Sequence, residues 1–164
     1  MLLLLSALAL LLNSANTQSQ SGADAVYTYS APEGEALSAH VYNPPTRDAA
    51  PAILVLHGGG WAYGSPTWMD SSARRFADQG MVAIAVQYRL SRNGVTPIDA
   101  LHDTCAAMAW IREQADELGV DPSRIAAYGV SAGGHLAASM TTIGCPEAVE
   151  GPDLLVLYSP ALRT

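Results

Sequence analysis

The segment Gly129-Val130-Ser131-Ala132-Gly133 places a serine between two glycines, directly after a predicted strand and directly before a predicted helix. A nucleophile on such a turn has a strained backbone, and small neighbours let the turn close without steric clashes. The hydroxyl is then held in the open, and the amide groups that begin the following helix point toward a negative charge formed there. The pattern therefore predicts a serine nucleophile.

A second glycine-rich segment, His57-Gly58-Gly59-Gly60-Trp61, follows a predicted buried strand. Glycines let the backbone approach a ligand and present N–H groups without obstruction, which is what a tetrahedral oxyanion requires. A phosphate-binding loop is the alternative. The chain contains no lysine and this segment has no GxGxxG pattern, so the residues favour an oxyanion-binding loop.

The surrounding sequence predicts an α/β fold. Short β-prone runs on either side of Pro32-Glu33-Gly34 predict an antiparallel hairpin. Apolar strands then alternate with amphipathic helices, which requires right-handed crossovers and an open, mostly parallel sheet with helices on both faces. The predicted strands are 26–30, 37–42, 52–56, 81–86, 125–130 and 154–158, and the predicted helices are 71–79, 98–118 and 133–142. Both glycine motifs follow carboxyl ends of strands, where reactive groups collect in such sheets.

Together with Val86-Gln87-Tyr88-Arg89-Leu90 and residues 121–125, these motifs resemble the α/β-hydrolase fold, over about residues 51–164. The similarity is to esterases and lipases related to hormone-sensitive lipase and to bacterial acetyl and acetylxylan esterases. Val130 stands where many lipase-like members have Asp, which favours the secreted acetylesterase-like members.

The resemblance assigns expected roles to individual residues, with no cofactor. Ser131 is the acyl-accepting nucleophile, and the backbone amides of Gly59, Gly60 and Ala132 form the oxyanion hole. Residues that support the two motifs are His57, which holds the glycine loop by hydrogen bonding, with Gly58, Gly129 and Gly133. Arg89 and Asp103 are expected to form a structural ion pair.

A serine nucleophile also needs a histidine base oriented by a carboxylate. In α/β-hydrolases both residues follow the serine along the chain. After Ser131 the acidic residues are Glu147, Glu150 and Asp153, and no histidine follows His135. Asp153 precedes the last predicted strand and so lies at the wrong edge of the sheet. We therefore expect residues 21–164 to be a partial α/β-hydrolase domain, with its C-terminal part absent and little activity of its own.

The N-terminus carries a Leu/Ala run from Leu2 to Leu12, followed by small and polar residues. This run is too short to span a bilayer and suits a signal peptide over about residues 1–20. An uncleaved or lipid-anchored helix is the alternative. We expect a secreted or periplasmic protein without a stable membrane span, in which Cys105 and Cys145 either pair or remain separate, Cys105 as a small buried residue.

Charge and composition exclude other classes of function. The chain has 15 acidic and 8 basic residues, and all the basic ones are scattered arginines, which argues against a nucleic-acid partner. No His, Cys, Asp or Glu spacing indicates a metal site. The resulting hypothesis is a hydrolase of short-acyl esters of a small molecule or a carbohydrate. Alternatives are an amidase similar to kynurenine formamidase and a catalytically inactive secreted binding module.

Overall fold

The structure of the protein, a computed structural model, describes residues 22–46 and 48–162. The predicted signal peptide lies outside these residues. Six strands are present: β1 Ala25–Ser30, β2 Leu37–Tyr42, β3 Ala50–Leu56, β4 Val82–Val86, β5 Val120–Val130 and β6 Leu154–Tyr158. The α-helices are α1 Asp70–Asp78, α2 Pro97–Glu113, α3 Ala115–Leu118 and α4 Ala132–Thr142, and short 3-10 helices span Pro32–Gly34, Pro66–Met69 and Pro146–Ala148.

The strands form one sheet in the order β1-β2-β4-β3-β5-β6. The pairs β1/β2 and β2/β4 are antiparallel, which confirms the predicted hairpin, and β3/β4, β3/β5 and β5/β6 are parallel. Parallel neighbours place the carboxyl ends of β3 and β5 side by side. The two segments that follow these strands are the two glycine motifs.

Helices cover both faces of the sheet, as the sequence predicts. Residues of α2, α3 and α4 pack with β3, β4 and β5 in the larger of two apolar clusters. The smaller cluster lies on the opposite face and contains Ala73 and Ala77 of α1. All five residues of β4 are buried, because a strand covered on both faces exposes neither set of side chains. No helix among the described residues is long and apolar enough to cross a membrane.

The predicted helix 98–118 is wrong in its continuity and in one buried position. The structure divides it at Gln114, whose φ of −97° and ψ of 15° are not helical, and Gly119 ends α3 in the left-handed region. Ala115 and Leu118 of α3 are both buried. The spacing of Ile98, Leu101 and Cys105 predicts one shared apolar face, but Ile98 lies in the first turn of α2 and is exposed.

Strand β5 begins at Val120, earlier than the predicted start at Ile125. Val120 pairs with Ala50 before a shift in register, and the next pair is Ala52 with Ile125. The intervening residues form an irregular part of the strand, in which the Asp121 carboxylate accepts a hydrogen bond from the Ser123 amide at 2.9 Å. The apolar pattern marks only the regular part of the strand, so the extra pair was not predicted.

Strand β6 is the edge strand of the described sheet. Leu155 and Leu157 pack against the core cluster on the α4 side. On the other face Leu154, Val156 and Tyr158 are exposed. Within residues 22–46 and 48–162, no strand pairs with the outer edge of β6.

A disulfide joins Cys105 of α2 to Cys145, which precedes the last 3-10 helix. The two Cα atoms are 5.6 Å apart, within the range that a disulfide spans without backbone distortion. The sequence left this pairing open, and the structure decides it. The bond ties the connection between α4 and β6 to α2.

We expect the substitution Cys145→Ala to lower the free energy of unfolding by about 2–4 kcal/mol, because a cross-link across 40 residues restricts the unfolded chain. The measurement is urea denaturation with and without a reductant. Reductant should lower the wild-type midpoint to that of the variant and leave the variant unchanged. Equal midpoints for oxidised wild type and variant would contradict the prediction.

Candidate active site

Ser131 lies at the junction of β5 and α4 and has φ 52° and ψ −113°, a conformation that few non-glycine residues adopt. The end of β6 holds this backbone on one side. The Ser131 amide donates to the Tyr158 carbonyl at 3.0 Å, and the Ala161 amide donates to the Ser131 carbonyl at 3.3 Å. The predicted strained turn between strand and helix is therefore present.

The two glycines of this motif lie where backbone segments are in close contact. A methyl group on Gly129 would be closer than 3.0 Å to the carbonyl oxygen of Gly133. One on Gly133 would be closer than 3.0 Å to the carbonyl oxygens of Leu56 and His57. Helix α4 thus begins directly against the end of β3, and no side chain fits between them.

The loop after β3 runs through three consecutive residues of positive φ: Gly59 at 119°, Gly60 at 59° and Trp61 at 60°. The Gly59 carbonyl accepts hydrogen bonds from the amides of Ala62 and Tyr63 at 3.1 and 3.0 Å. Within the described part of the chain, the amides of Gly59 and Gly60 donate to no acceptor. The loop therefore has two backbone donors that are available to a ligand.

The structure brings the two glycine motifs together. A methyl group on Gly58 would be 3.4 Å from the Ser131 Cβ and 3.1 Å from the Val130 carbonyl oxygen. Ala132 is the first residue of α4, and first-turn amides have no acceptor within their own helix. The serine, the glycine loop and the start of a helix thus meet at one edge of the sheet.

His57 is buried, and its ring is stacked on Tyr88 with centroids 4.2 Å apart. Its Nδ1 is 2.7 Å from the Gly58 carbonyl oxygen. Because a carbonyl oxygen only accepts, Nδ1 carries the proton and donates it to Gly58. Burial lowers the pKa of His57, more than the hydrogen bond to Gly58 raises it, and the ring is neutral at pH 7. These contacts agree with the expected structural role.

The aromatic residues near the loop differ in their surroundings. Trp61 packs edge-on against His135, with ring centroids 5.2 Å apart. Tyr63 and Trp68 are 71% and 62% exposed and line the surface beside the loop. Trp61 is therefore a packing residue, whereas Tyr63 and Trp68 are open to solvent.

The predicted ion pair between Arg89 and Asp103 is confirmed. A guanidinium nitrogen of Arg89 lies 2.9 Å from a carboxylate oxygen of Asp103, and both side chains are largely buried. The other Asp103 oxygen accepts from the Arg89 amide at 2.9 Å. The pair joins the segment after β4 to helix α2.

No histidine or carboxylate in the described residues forms a hydrogen bond with the Ser131 hydroxyl. The Asp153 carboxylate accepts from the Ile125 amide at 2.8 Å, at the amino edge of the sheet as predicted. Glu150 is exposed and lies 3.9 Å from Arg112. No group of three or more His, Cys, Asp or Glu residues in residues 22–46 and 48–162 is arranged to hold a metal ion.

Two contributors to the site were not predicted from the sequence: the Tyr88 hydroxyl, which contacts His57, and the Tyr158 carbonyl, which accepts from Ser131. Both residues lie at carboxyl ends of strands, as do the glycine motifs. A tyrosine two residues after a buried strand was therefore a usable signal for Tyr88. The carbonyl of Tyr158 carries no sequence signal, because every residue has one.

The family model BD-FAE matches residues 40–153, which include both glycine motifs. The chain belongs to the BD-FAE family. This BD-FAE chain is 41% identical over 117 residues to the carboxylesterase NlhH of Mycobacterium tuberculosis, covering 70% of the chain and 36% of NlhH. It is 37% identical over 133 residues to the ethyl acetate hydrolase of Pseudomonas putida, covering 78% of the chain and 42% of that relative.

The comparison with solved structures also finds esterases similar to this chain. The apo form of esterase 2 from Thermogutta terrifontis superposes with a TM-score of 0.79 at 36% identity, over 86% of this chain and 57% of that one. The comparison confirms the predicted α/β-hydrolase fold and the resemblance to esterases. The BD-FAE chain therefore spans about two fifths of its curated relatives and somewhat more than half of this structural neighbour.

We expect Gly133→Ala to destabilise the protein by about 3 kcal/mol or more, because its methyl group would overlap the carbonyl oxygens of Leu56 and His57. Gly80→Ala is the control. Gly80 has φ 90° and no atom within 4 Å of an added methyl group, so only conformational strain of about 1–2 kcal/mol is expected there. Urea denaturation of both variants measures the difference, and equal losses would contradict the close contact.

The stability of the protein should fall as the pH decreases below about 6.5. Burial lowers the pKa of both His57 and His40 in the folded state, so the unfolded chain takes up protons first and is favoured at lower pH. Above about pH 7.5 both residues are neutral in either state, and this contribution no longer changes with pH. The measurement is the free energy of unfolding between pH 7.5 and 5.5. His40→Gln should reduce the slope, and a slope unchanged by this variant would contradict the assignment.

Proposed function

We propose that the protein is a serine hydrolase that cleaves carboxylic esters of short acyl groups through an acyl-enzyme on Ser131. The observation that carries the proposal is the strained turn at Ser131 directly beside a glycine loop with two unbonded amides. The named esterases among the relatives support the reaction class. Because the chain spans only part of those relatives, the activity is proposed for the whole protein.

The proposed reaction begins when Ser131 Oγ attacks the ester carbonyl carbon. The carbonyl oxygen becomes negatively charged and receives hydrogen bonds from the amides of Gly59, Gly60 and Ala132, and the positive end of the α4 dipole lies behind it. Collapse of the tetrahedral intermediate breaks the bond to the alcohol oxygen, which leaves with a proton as the alcohol. Water then hydrolyses the ester on Ser131 and releases the acid.

Both steps need a base that accepts a proton from the serine or from water. Since no histidine in the described residues contacts the Ser131 hydroxyl, we expect the 164-residue chain to be acylated slowly and to turn over little. A serine with an oxyanion hole and no complete triad retains weak catalysis over water. The missing acid and base are proposed to belong to the longer protein.

The relatives also support the substrate class. Thermogutta terrifontis esterase 2 has been solved with propionate and with butyrate bound, and one curated relative is an ethyl acetate hydrolase. On this basis we propose short acyl groups for the present chain. The alcohol part is proposed to be a small molecule or a carbohydrate, and the exposed rings of Tyr63 and Trp68 offer it an apolar surface.

We also propose that the protein is secreted or periplasmic, with residues 1–20 as its signal peptide. The disulfide between Cys105 and Cys145 supports this proposal, because such bonds persist in oxidising compartments. The expected observation is a mature N-terminus close to residue 20 in protein recovered from the culture medium or periplasm. Recovery of the intact N-terminus from the cytoplasm would contradict it.

The nucleophile is tested by treating the chain with a fluorophosphonate and measuring the intact mass. Thermogutta terrifontis esterase 2 has been solved phosphonylated by sarin, which supports the choice of reagent. We expect one added phosphonate, absent from Ser131→Ala and present in Ser159→Ala. Ser159 is the matched control because it is an exposed serine at the same edge of the sheet, also with positive φ.

The outcomes separate the alternatives. Labelling that survives Ser131→Ala would overturn the proposed nucleophile. A folded whole protein that resists labelling would favour the secreted binding module. Faster release of formate from an N-formyl amide than of acetate from an acetyl ester would favour the amidase.

A further inference from the structure

The residues that follow β4 contact the glycine loop at both of its ends. At the start of the loop, the Tyr88 hydroxyl donates to the His57 carbonyl oxygen at 2.8 Å. At the other end, the Ser91 amide donates to the Trp61 carbonyl oxygen at 2.7 Å. The segment Tyr88–Ser91 thus holds the loop that carries the two unbonded amides.

Two neighbouring groups restrict the His57 carbonyl. The backbone of Gly133 approaches it so closely that a methyl group would overlap its oxygen. The Tyr88 hydroxyl approaches the same oxygen, and a peptide plane fixed by two neighbours cannot rotate freely. The orientation of the peptide plane after His57 determines the backbone direction at Gly58 and Gly59. The hydroxyl of Tyr88 is therefore placed to control the orientation of the loop amides.

The imidazole of His57 is held by the same tyrosine. The rings are stacked at an angle of 14°, and the Tyr88 hydroxyl oxygen is 3.1 Å from Nδ1. Gly64 closes the Nδ1 edge of the ring, where an added methyl group would overlap it. Since Nδ1 donates to the Gly58 carbonyl, the hydroxyl proton of Tyr88 is directed to the His57 carbonyl.

Tyr88 is itself anchored. It is 1% exposed, and the next residue, Arg89, is fixed by a buried ion pair and by its amide to Asp103 of α2. A hydroxyl on a rigid ring attached to a rigid backbone keeps its position when charge develops in the site. Preorganised donors of this kind stabilise an oxyanion without reorganisation during the reaction.

We propose that Tyr88 is a positioning residue for the oxyanion hole, whose hydroxyl fixes the His57 carbonyl and thereby aims the amides of Gly59 and Gly60. The catalytic consequence rests on the proposed function. The restriction of the loop by Tyr88 does not rest on the proposed function, because it follows from the contacts alone.

The test is Tyr88→Phe, which retains the ring and its stacking and removes the hydroxyl. The matched control is Tyr29→Phe. Tyr29 is a buried tyrosine whose hydroxyl donates to the Gln87 carbonyl at 2.6 Å, on the residue before Tyr88, and does not contact the loop. Both variants lose a buried hydroxyl from the same region, so general destabilisation affects both.

The first measurement is hydrolysis of p-nitrophenyl acetate by the full 164-residue chain. We expect Tyr88→Phe to lower kcat about tenfold with KM within about twofold, since a misaimed oxyanion hole affects the transition state more than the ground state. Tyr29→Phe should leave kcat within about twofold. Equal kcat values in the two variants would overturn the proposal.

The second measurement is hydrogen exchange, which needs no activity. In Tyr88→Phe the amides of Ala62, Tyr63 and Ser91, which are bonded within or to the loop, should exchange about tenfold faster relative to those of β4. Unchanged exchange at all three, or the same change in Tyr29→Phe, would overturn the proposal. If the wild-type chain shows no Ser131-dependent hydrolysis, fluorophosphonate labelling of Ser131 decides the proposed function, and exchange alone decides the role of Tyr88 in restricting the loop.

A third measurement on the wild-type protein covers the case in which Tyr88→Phe does not fold. Nitrogen-15 spectra of the His57 side chain should show the proton on Nδ1 and none on Nε2 at pH 7.5. A proton on Nε2 would leave Nδ1 as an acceptor for the Tyr88 hydroxyl, which would then not be available to the His57 carbonyl. That result would overturn the proposal.

Discussion

The close contact between the start of α4 and the ends of β3 and β5 is the constraint on which the rest of the site depends. Gly133 touches the carbonyls of Leu56 and His57, and Gly129 touches Gly133, so that three backbone segments meet without intervening side chains. The turn at Ser131 and the loop after His57 are therefore held at one edge of the sheet. A side chain at either glycine would separate the serine from the loop.

The strained backbone of the site is maintained by hydrogen bonds from neighbouring segments. Ser131 and Trp61 both have positive φ, and conformations of this kind cost about 1–3 kcal/mol each. The Tyr158 carbonyl restrains Ser131 by a hydrogen bond, and the Ser91 amide restrains Trp61 in the same way. Strand β6 and the segment after β4 thus supply, from opposite sides, the interactions that keep the serine and the loop in place.

Helix α2 connects the elements that stabilise the fold with those that hold the site. The disulfide joins Cys105 of this helix to Cys145 and restricts the connection between α4 and β6. The ion pair of Arg89 with Asp103 connects the same helix to the segment that contacts His57. Helix α2 is therefore held in the core by the disulfide, and it also anchors the segment that contacts the glycine loop.

Local patterns predicted helices α1 and α4, the α/β class, the two glycine motifs and every strand apart from the first part of β5, because each depends on local periodicity or on short-range backbone requirements. Local patterns could not show the break at Gln114 or the exposure of Ile98, since both depend on how the helix meets the core. Cys105 and Cys145 are 40 residues apart, and only the packing of α2 against the connection to β6 brings them together. The contact of Tyr88 with His57 likewise requires β4 and β3 to be parallel neighbours, and the tertiary structure decided it because sheet order is set by long-range packing.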